Sequence, residues 1–284
     1  MISEDDMLKR IITAIVAIAV FFPVLYFSEL WIFPAVMALL CLIACFEMLR
    51  CVGALKHYAY SAVLLLSSAA IPLTPYWLGT DKVEHILILS LIVLALYLFA
   101  VMTFSRGKIT ISNVGTAYLT AFYIIVAFTA MSLLRYRVAA GNYVYLICFI
   151  GAWVTDTFAY FCGFLFGKHK LIPDVSPKKT IEGSVGGTVF CILAMLGYGW
   201  IVQTISGGTV SANYLVLGIS GLFISVVSQV GDLLMSAIKR TFGIKDYGKL
   251  FPGHGGVLDR FDSVMAVALV LLVISSLGHL FVVA

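Results

Sequence analysis

The sequence predicts an all-α, polytopic integral membrane protein of about nine transmembrane helices, with its N-terminus in the cytoplasm. Three observations carry that expectation. Of 284 residues, 62% are hydrophobic and 11% charged, and the mean hydropathy of +1.08 is too high for the surface of an ordinary water-soluble domain. Apolar runs recur along the chain at lengths near the ~20 residues that cross a bilayer's hydrocarbon core as a helix. Lysine and arginine are distributed unevenly between the connections, as they are in membrane proteins with a fixed orientation.

In chain order the runs fall at about 9–27, 30–49, 58–78, 84–103, 112–134, 142–164, 183–205, 212–238 and 262–283. The first is too long for a removable signal peptide and lacks a small-residue cleavage site. The eighth is long and becomes polar at its end. With the N-terminus inside, the cytoplasmic segments hold fifteen of the 18 lysines and arginines, and the outer segments hold only Lys82, Arg135 and Arg137. The net charge of +4 is then a property of the cytoplasmic face, where it favours lipid headgroups and nucleotide phosphates; the sequence carries no sign of nucleic-acid binding. The six cysteines lie in or beside apolar runs without CxxC spacing, which points to buried apolar residues and not to disulfides or metal ligation.

The polar residues divide the chain. Residues 1–140 read as scaffold helices, in which Glu29 and Glu47 stand near helix ends within reach of water or headgroups. Residues 141–284 hold most of the 24 glycines and nearly all the unusual polar groups, and read as a catalytic region with a cavity open to the cytoplasm. Asp156 lies mid-run, so it must face protein or water; the costs on insertion scales are ~2.5–3.5 kcal/mol. Tyr160 and Gly163 share its helical face. Gly163 with Gly167, and Gly183 with Gly187, form small-xxx-small pairs suited to close helix packing. Ser225, Gln229, Asp232, Ser236, Lys239 and Arg240 recur at spacings of three or four, giving one polar stripe. Helix–helix hydrogen bonds account for its serines and glutamine; a polar cavity accounts for Asp232 ahead of a Lys-Arg pair.

Two loops complete the inventory. In "SPKKTIEGS", Ser176 to Ser184, Pro177 marks a turn, Thr180 suits a helix N-cap and Glu182 the first helical turn. Lys178 and Lys179 serve either as ordinary basic loop residues or as phosphate contacts at a helix N-terminus. In "SAIKRTFGIKDYGKLFPGHGGVLDRFD", Ser236 to Asp262, Asp246, Asp259 and Asp262 stand among Lys239, Arg240, Lys245 and Arg260. Carboxylates beside phosphate-binding cations are what a Mg²⁺ site uses, and glycines let backbone N–H groups approach an anion. Asp259 fits equally well as the cap of the last helix.

Ser236-x-Ile238-Lys239-Arg240, then Lys245-Asp246-x-Gly248, then Phe251-Pro252-x-His254-Gly255-Gly256-Val257-x-Asp259-Arg260-Phe261-Asp262 resembles the signature of phosphatidate cytidylyltransferases, also called CDP-diacylglycerol synthases. "SPKKTIEGS" resembles a second segment of that family; the N-terminal half agrees in general character only. The resemblance implies transfer of cytidylyl from CTP to phosphatidic acid, giving CDP-diacylglycerol and pyrophosphate, in a bacterial-type inner membrane with the site on the cytoplasmic side. It implies one or two Mg²⁺ ions, with room for a monovalent ion. Asp246 with Asp259 or Asp262 is expected to hold metal; Asp232 and Asp156 line the cavity as further ligand candidates, Asp232 the better of the two. Lys239, Arg240, Lys245 and Arg260 are expected on substrate phosphates. Lys178, Lys179, Ser176, Thr180, Glu182, Ser236, Gly255 and Gly256 complete the substrate contacts, and His254 is a phosphate donor or a turn residue. The glycine pairs are compatible with a homodimer. Two alternatives remain at this point: a CTP-dependent kinase of a polyprenol-like alcohol, which releases CDP, and a secondary transporter.

Overall fold

The computed structural model describes Val16, residues 19–78 and residues 83–283. Among the described residues, eight helices are long and apolar enough to cross a membrane. They coincide with the second to ninth runs of the sequence. Residues 9–15, 17 and 18 of the first run, 9–27, lie outside the described residues, and residues 19–26 are helical. The helices used below are α1 (Ile32–Cys51), α2 (Tyr58–Ala70), α3 (Val83–Phe104), α4 (Ile111–Tyr136), α5 (Leu146–Phe166), α6 (Ile181–Ile205), α7 (Tyr214–Thr241) and α8 (Leu258–Leu277). Short helical turns prolong α2 to Trp77 and begin α5 at Gly141.

The chain forms two compact units. One comprises residues 1–132 with 242–260, the other residues 133–241 with 261–284. In the first, Tyr97 on α3 donates its hydroxyl to the Ala59 carbonyl of α2 (2.7 Å), and Tyr118 on α4 donates to the Leu91 carbonyl of α3 (3.1 Å). Each bond satisfies a phenol on an otherwise apolar stretch of helix, Tyr118 partly buried and Tyr97 exposed. α3 nevertheless exposes Ile88, Leu89, Ile92, Val93, Leu96 and Phe99. Such a face fits hydrocarbon and not water.

In the second unit, small residues set the helix crossings. A Cβ at Gly183 of α6 would stand 2.5 Å from the Ala159 carbonyl oxygen of α5, and one at Gly187 2.8 Å from that of Thr155. On α7, a Cβ at Gly221 would meet the Ile192 Cα at 2.9 Å, and one at Gly231 would meet the Asp262 carbonyl oxygen of α8 at the same distance. The backbones therefore approach as closely as the small-xxx-small spacing predicts. Phe158 and Phe190 stack at 3.9 Å in the α5–α6 contact.

Three expectations need correction. "SPKKT" is not a turn: Ser176–Thr180 is a strand, paired antiparallel with Lys170–Ile172, because the short Pro173–Val175 connection folds it back on the preceding segment. The final run is not one helix to its end. α8 begins four residues earlier, at Leu258, and stops at Leu277; Phe281–Val283 then pairs antiparallel with Val210–Ala212. Gly278 follows the last helical residue, in keeping with glycine's preference for helix C-termini. Glu47, third, is not solvated by headgroups. It is 4% exposed, and its partners are described below. The six cysteines are free thiols.

Candidate active site

The second unit gathers one set of the expected residues. Thr180 ends the strand and caps α6, its hydroxyl accepting the Gly183 N–H at 3.1 Å. That cap fixes the preceding residue, Lys179, whose Nζ lies 2.5 Å from Asp232 Oδ2 on α7. One turn further on, Ser236 donates to Asp232 Oδ1 (3.3 Å). The Gly231 crossing brings α7 against α8, so Asp262 lies in electrostatic range of Asp232, Asp156 and Lys239. Asp262 Oδ1 accepts the Ser263 N–H at 2.9 Å, and the Ser263 hydroxyl donates to Asp156 Oδ2 at 2.9 Å. Asp156, Asp232 and Asp262 thus share a region with Lys179, Ser236, Ser263 and Lys239. Three carboxylates so placed repel one another, and a cation relieves that repulsion.

The polar stripe of α7 has two parts. Its inner part is occupied by helix contacts: Gln229 donates to Ser225 Oγ (3.2 Å) and to the Ser184 carbonyl of α6 (3.3 Å), while Ser225 and Thr188 share a 3.0 Å hydrogen bond. Only from Asp232 onwards do its groups join the charged cluster. Lys239 and Arg240 lie in the last turn, where the helix dipole favours cations, and Arg240 Nε donates to the Val175 carbonyl (3.5 Å). Lys178 is exposed on the strand. Glu182 turns back, its carboxylate accepting the His169 N–H at 3.2 Å and meeting His169 Nδ1 at 2.6 Å. These contacts tie the hairpin to α6.

The first unit carries the remaining set, in the segment between α7 and α8. Lys245, Asp246 and Arg260 are exposed. The Pro-Gly-His-Gly-Gly stretch closes on itself, since Phe251 N donates to the Gly255 carbonyl and His254 N to the Phe251 carbonyl, each at 2.9 Å. His254 Nδ1 lies 3.4 Å from the Pro252 carbonyl oxygen, which ties it to the turn. Gly253 and Gly255 have φ of +75° and +91°, the left-handed region that glycine enters without steric cost. Asp259 Oδ2 accepts two backbone N–H groups, Tyr247 at 2.8 Å and Gly256 at 2.9 Å. Gly256, expected on a substrate phosphate, gives its N–H to that carboxylate.

Sequence reasoning missed Glu47, Arg50 and Ser263. Glu47 and Arg50 sit more than 190 residues from their partners, and no local pattern marks such a pairing. Ser263 has a local signal, a hydroxyl beside Asp262 at the start of a helix.

A polytopic membrane bundle with carboxylates and basic groups near its helix ends defines a class of membrane enzyme acting on anionic substrates. Residues 8–277 match the cytidylyltransferase family, and the chain belongs to that family. It is 33% identical over 260 residues to the phosphatidate cytidylyltransferase of Staphylococcus haemolyticus, a match spanning 91% of this chain and 95% of that protein. The phosphatidate cytidylyltransferases of Staphylococcus saprophyticus and Staphylococcus aureus strain COL are 36% and 34% identical at the same coverage.

Proposed function

We propose that this protein transfers the cytidylyl group of CTP to phosphatidate, forming CDP-diacylglycerol and pyrophosphate for phospholipid synthesis. Membership of the cytidylyltransferase family across residues 8–277 carries the reading, and it disfavours both the polyprenol kinase and the transporter. A phosphate oxygen of the lipid attacks the α-phosphorus of CTP. The bond from that phosphorus to the bridging oxygen breaks, and pyrophosphate leaves with the electron pair. The nucleophile is already ionised near neutral pH, so alignment and charge compensation are the main catalytic tasks.

The residues divide accordingly. Lys239, Arg240, Lys245 and Arg260 bind and orient substrate phosphates, and Lys178 and Lys179 add contacts from the hairpin. The carboxylates of Asp156 and Asp232 both lie in electrostatic range of Asp262, and such hard oxygen donors fit Mg²⁺. Among the described residues no three or more His, Cys, Asp or Glu side chains are arranged as a metal cage. Mg²⁺ usually takes only one or two carboxylates, with substrate phosphates and water as its other ligands. Asp232 and Asp262 would hold the ion, and Asp246, exposed in the first unit, stays a separate ligand candidate. When bound, Mg²⁺ neutralises charge building on the leaving pyrophosphate. Asp259, whose Oδ2 accepts the Tyr247 and Gly256 backbone N–H groups, is assigned to the loop.

The reading places the site on the cytoplasmic side of a bacterial inner membrane, among membrane lipids, and extends to a homodimer. The test is pyrophosphate release by purified protein in detergent, with CTP, phosphatidate and Mg²⁺ omitted in turn. Release needing all three supports the reading; release of CDP instead overturns it. Asp246→Asn is expected to abolish turnover, and near-normal Mg²⁺-dependent release by that variant removes Asp246 from the site.

A further inference from the structure

Glu47 is a buried acid in the last turns of α1, whose other charged residue is Arg50, and it takes no direct part in the proposed chemistry. Its two carboxylate oxygens divide their work: Oε1 accepts the Val257 N–H at 3.1 Å and Oε2 the Leu258 N–H at 3.0 Å. Both donors belong to the first turn of α8 or the residue before it, where backbone N–H groups have no intrahelical partner. Three residues along α1, the Arg50 guanidinium donates to the Tyr247 carbonyl. Asp259 then bonds the Tyr247 and Gly256 N–H groups across the loop. Arg50, Tyr247, Asp259 and Gly256 thus form a chain of polar contacts, and Glu47 holds the next two amides, at the base of the segment that carries Lys245, Asp246, His254 and Arg260.

Two glycines make room for that carboxylate. A Cβ on Gly256 would stand 2.5 Å from both the carboxylate carbon and Oε2 of Glu47 and overlap Oε1. A Cβ on Gly248 would overlap Oε1 as well and lie 2.7 Å from the carboxylate carbon. Neither glycine has a positive φ, so backbone conformation does not demand glycine at either position. The close approach of Glu47 does.

We propose that Glu47 is a positioning residue, which seats the Lys245–Arg260 segment on α1 by binding the Val257 and Leu258 amides in a notch left by Gly248 and Gly256. The proposal rests on the functional reading of that segment, and it predicts a coupling that does not depend on the reaction. A misplacement of ~1 Å by a residue away from the chemistry can cost ~100-fold in rate.

The experiment is a double-mutant cycle on the purified full chain, read by thermal stability and by pyrophosphate release. Gly256→Ala alone should lower both, because its methyl group meets the carboxylate. In the Glu47→Ala background the same substitution should cost little further, because the space has opened. A Gly256→Ala protein that fails to accumulate, with recovery in the double variant, supports the proposal equally. Equal cost in both backgrounds overturns it. Glu47→Gln keeps the reach and one acceptor oxygen. Its NH2 group faces the second N–H, so it should lower the melting temperature less than Glu47→Ala does, yet lower kcat by ~10-fold or more with KM for CTP little changed; activity within about twofold of the parent overturns the positioning role. Full activity of Asp246→Asn with the stability coupling intact would instead unseat the functional reading and leave the Glu47 contact standing.

Discussion

Asp259 places one oxygen, Oδ2, between the amides of Tyr247 and Gly256 at 2.8 and 2.9 Å. The sequence left its role open between metal ligand and helix cap, and these bonds favour a third role as the clasp of the loop. The alternatives separate on substitution. Asn keeps one oxygen able to accept both N–H groups, so Asp259→Asn should fold and retain a measurable share of Mg²⁺-dependent pyrophosphate release. Asp259→Ala strands two buried donors at about 1–3 kcal/mol each and should lose stability and activity together. A folded Asp259→Asn protein whose activity is gone, and returns in part on raising Mg²⁺, would restore the ligand role. Residue types and spacings marked the charged groups of this segment well, because acids and bases are conspicuous in an apolar chain. They could not mark Glu47, whose meaning depends on Val257 and Leu258, 210 and 211 positions away.

Among the elements, α5 and α6 show which local rules were sufficient. The Gly183–Gly187 pair reads from the sequence as a close-packing face, and the Ala159 and Thr155 carbonyls do lie against it. Gly187→Leu should therefore overpack the contact and destabilise by about 1–3 kcal/mol. Gly197 on the same helix has open space around a built Cβ, so Gly197→Ala should be neutral or stabilising by about 0.5–1 kcal/mol through helix propensity. Thermal unfolding of the two variants in one detergent checks the contrast, and equal shifts would refute the packing assignment. The Thr180 cap was legible for the same reason, since N-capping is local; Thr180→Ala should cost ~1 kcal/mol and loosen the Lys179 approach to Asp232. The hairpin before it was not legible. Strands of three and five residues are set by their pairing, and "SPKKT" with a proline and two lysines has no period to reveal one. The Phe281–Val283 strand escaped likewise, because a short apolar run after a helix has the composition of either state.

At the scale of the whole molecule, sidedness can be argued without the residues that precede α1. Moving from the turn before α4 to the hairpin before α6, and on to the segment before α8, the chain passes two helices each time, so these three connections share a side if every helix spans. They hold Arg106 and Lys108, then Lys168, Lys170, Lys178 and Lys179, then Lys245 and Lys249. The alternate connections hold Arg137 after α4, and no lysine or arginine from Ser206 to Asn213 after α6. Alternation of this strength sets orientation in membrane proteins, because basic residues are retained on the cytoplasmic side. Ala139 and Thr209 are exposed in the basic-poor connections, as Lys108 and Lys170 are in the rich ones. In a background with the six cysteines replaced, Cys at 108 or 170 should react with an impermeant maleimide only in inside-out vesicles. Cys at 139 or 209 should react only from the opposite face. Labelling of positions 170 and 209 from one side would break the alternation, and with it the proposal that the carboxylate cluster opens to the cytoplasm.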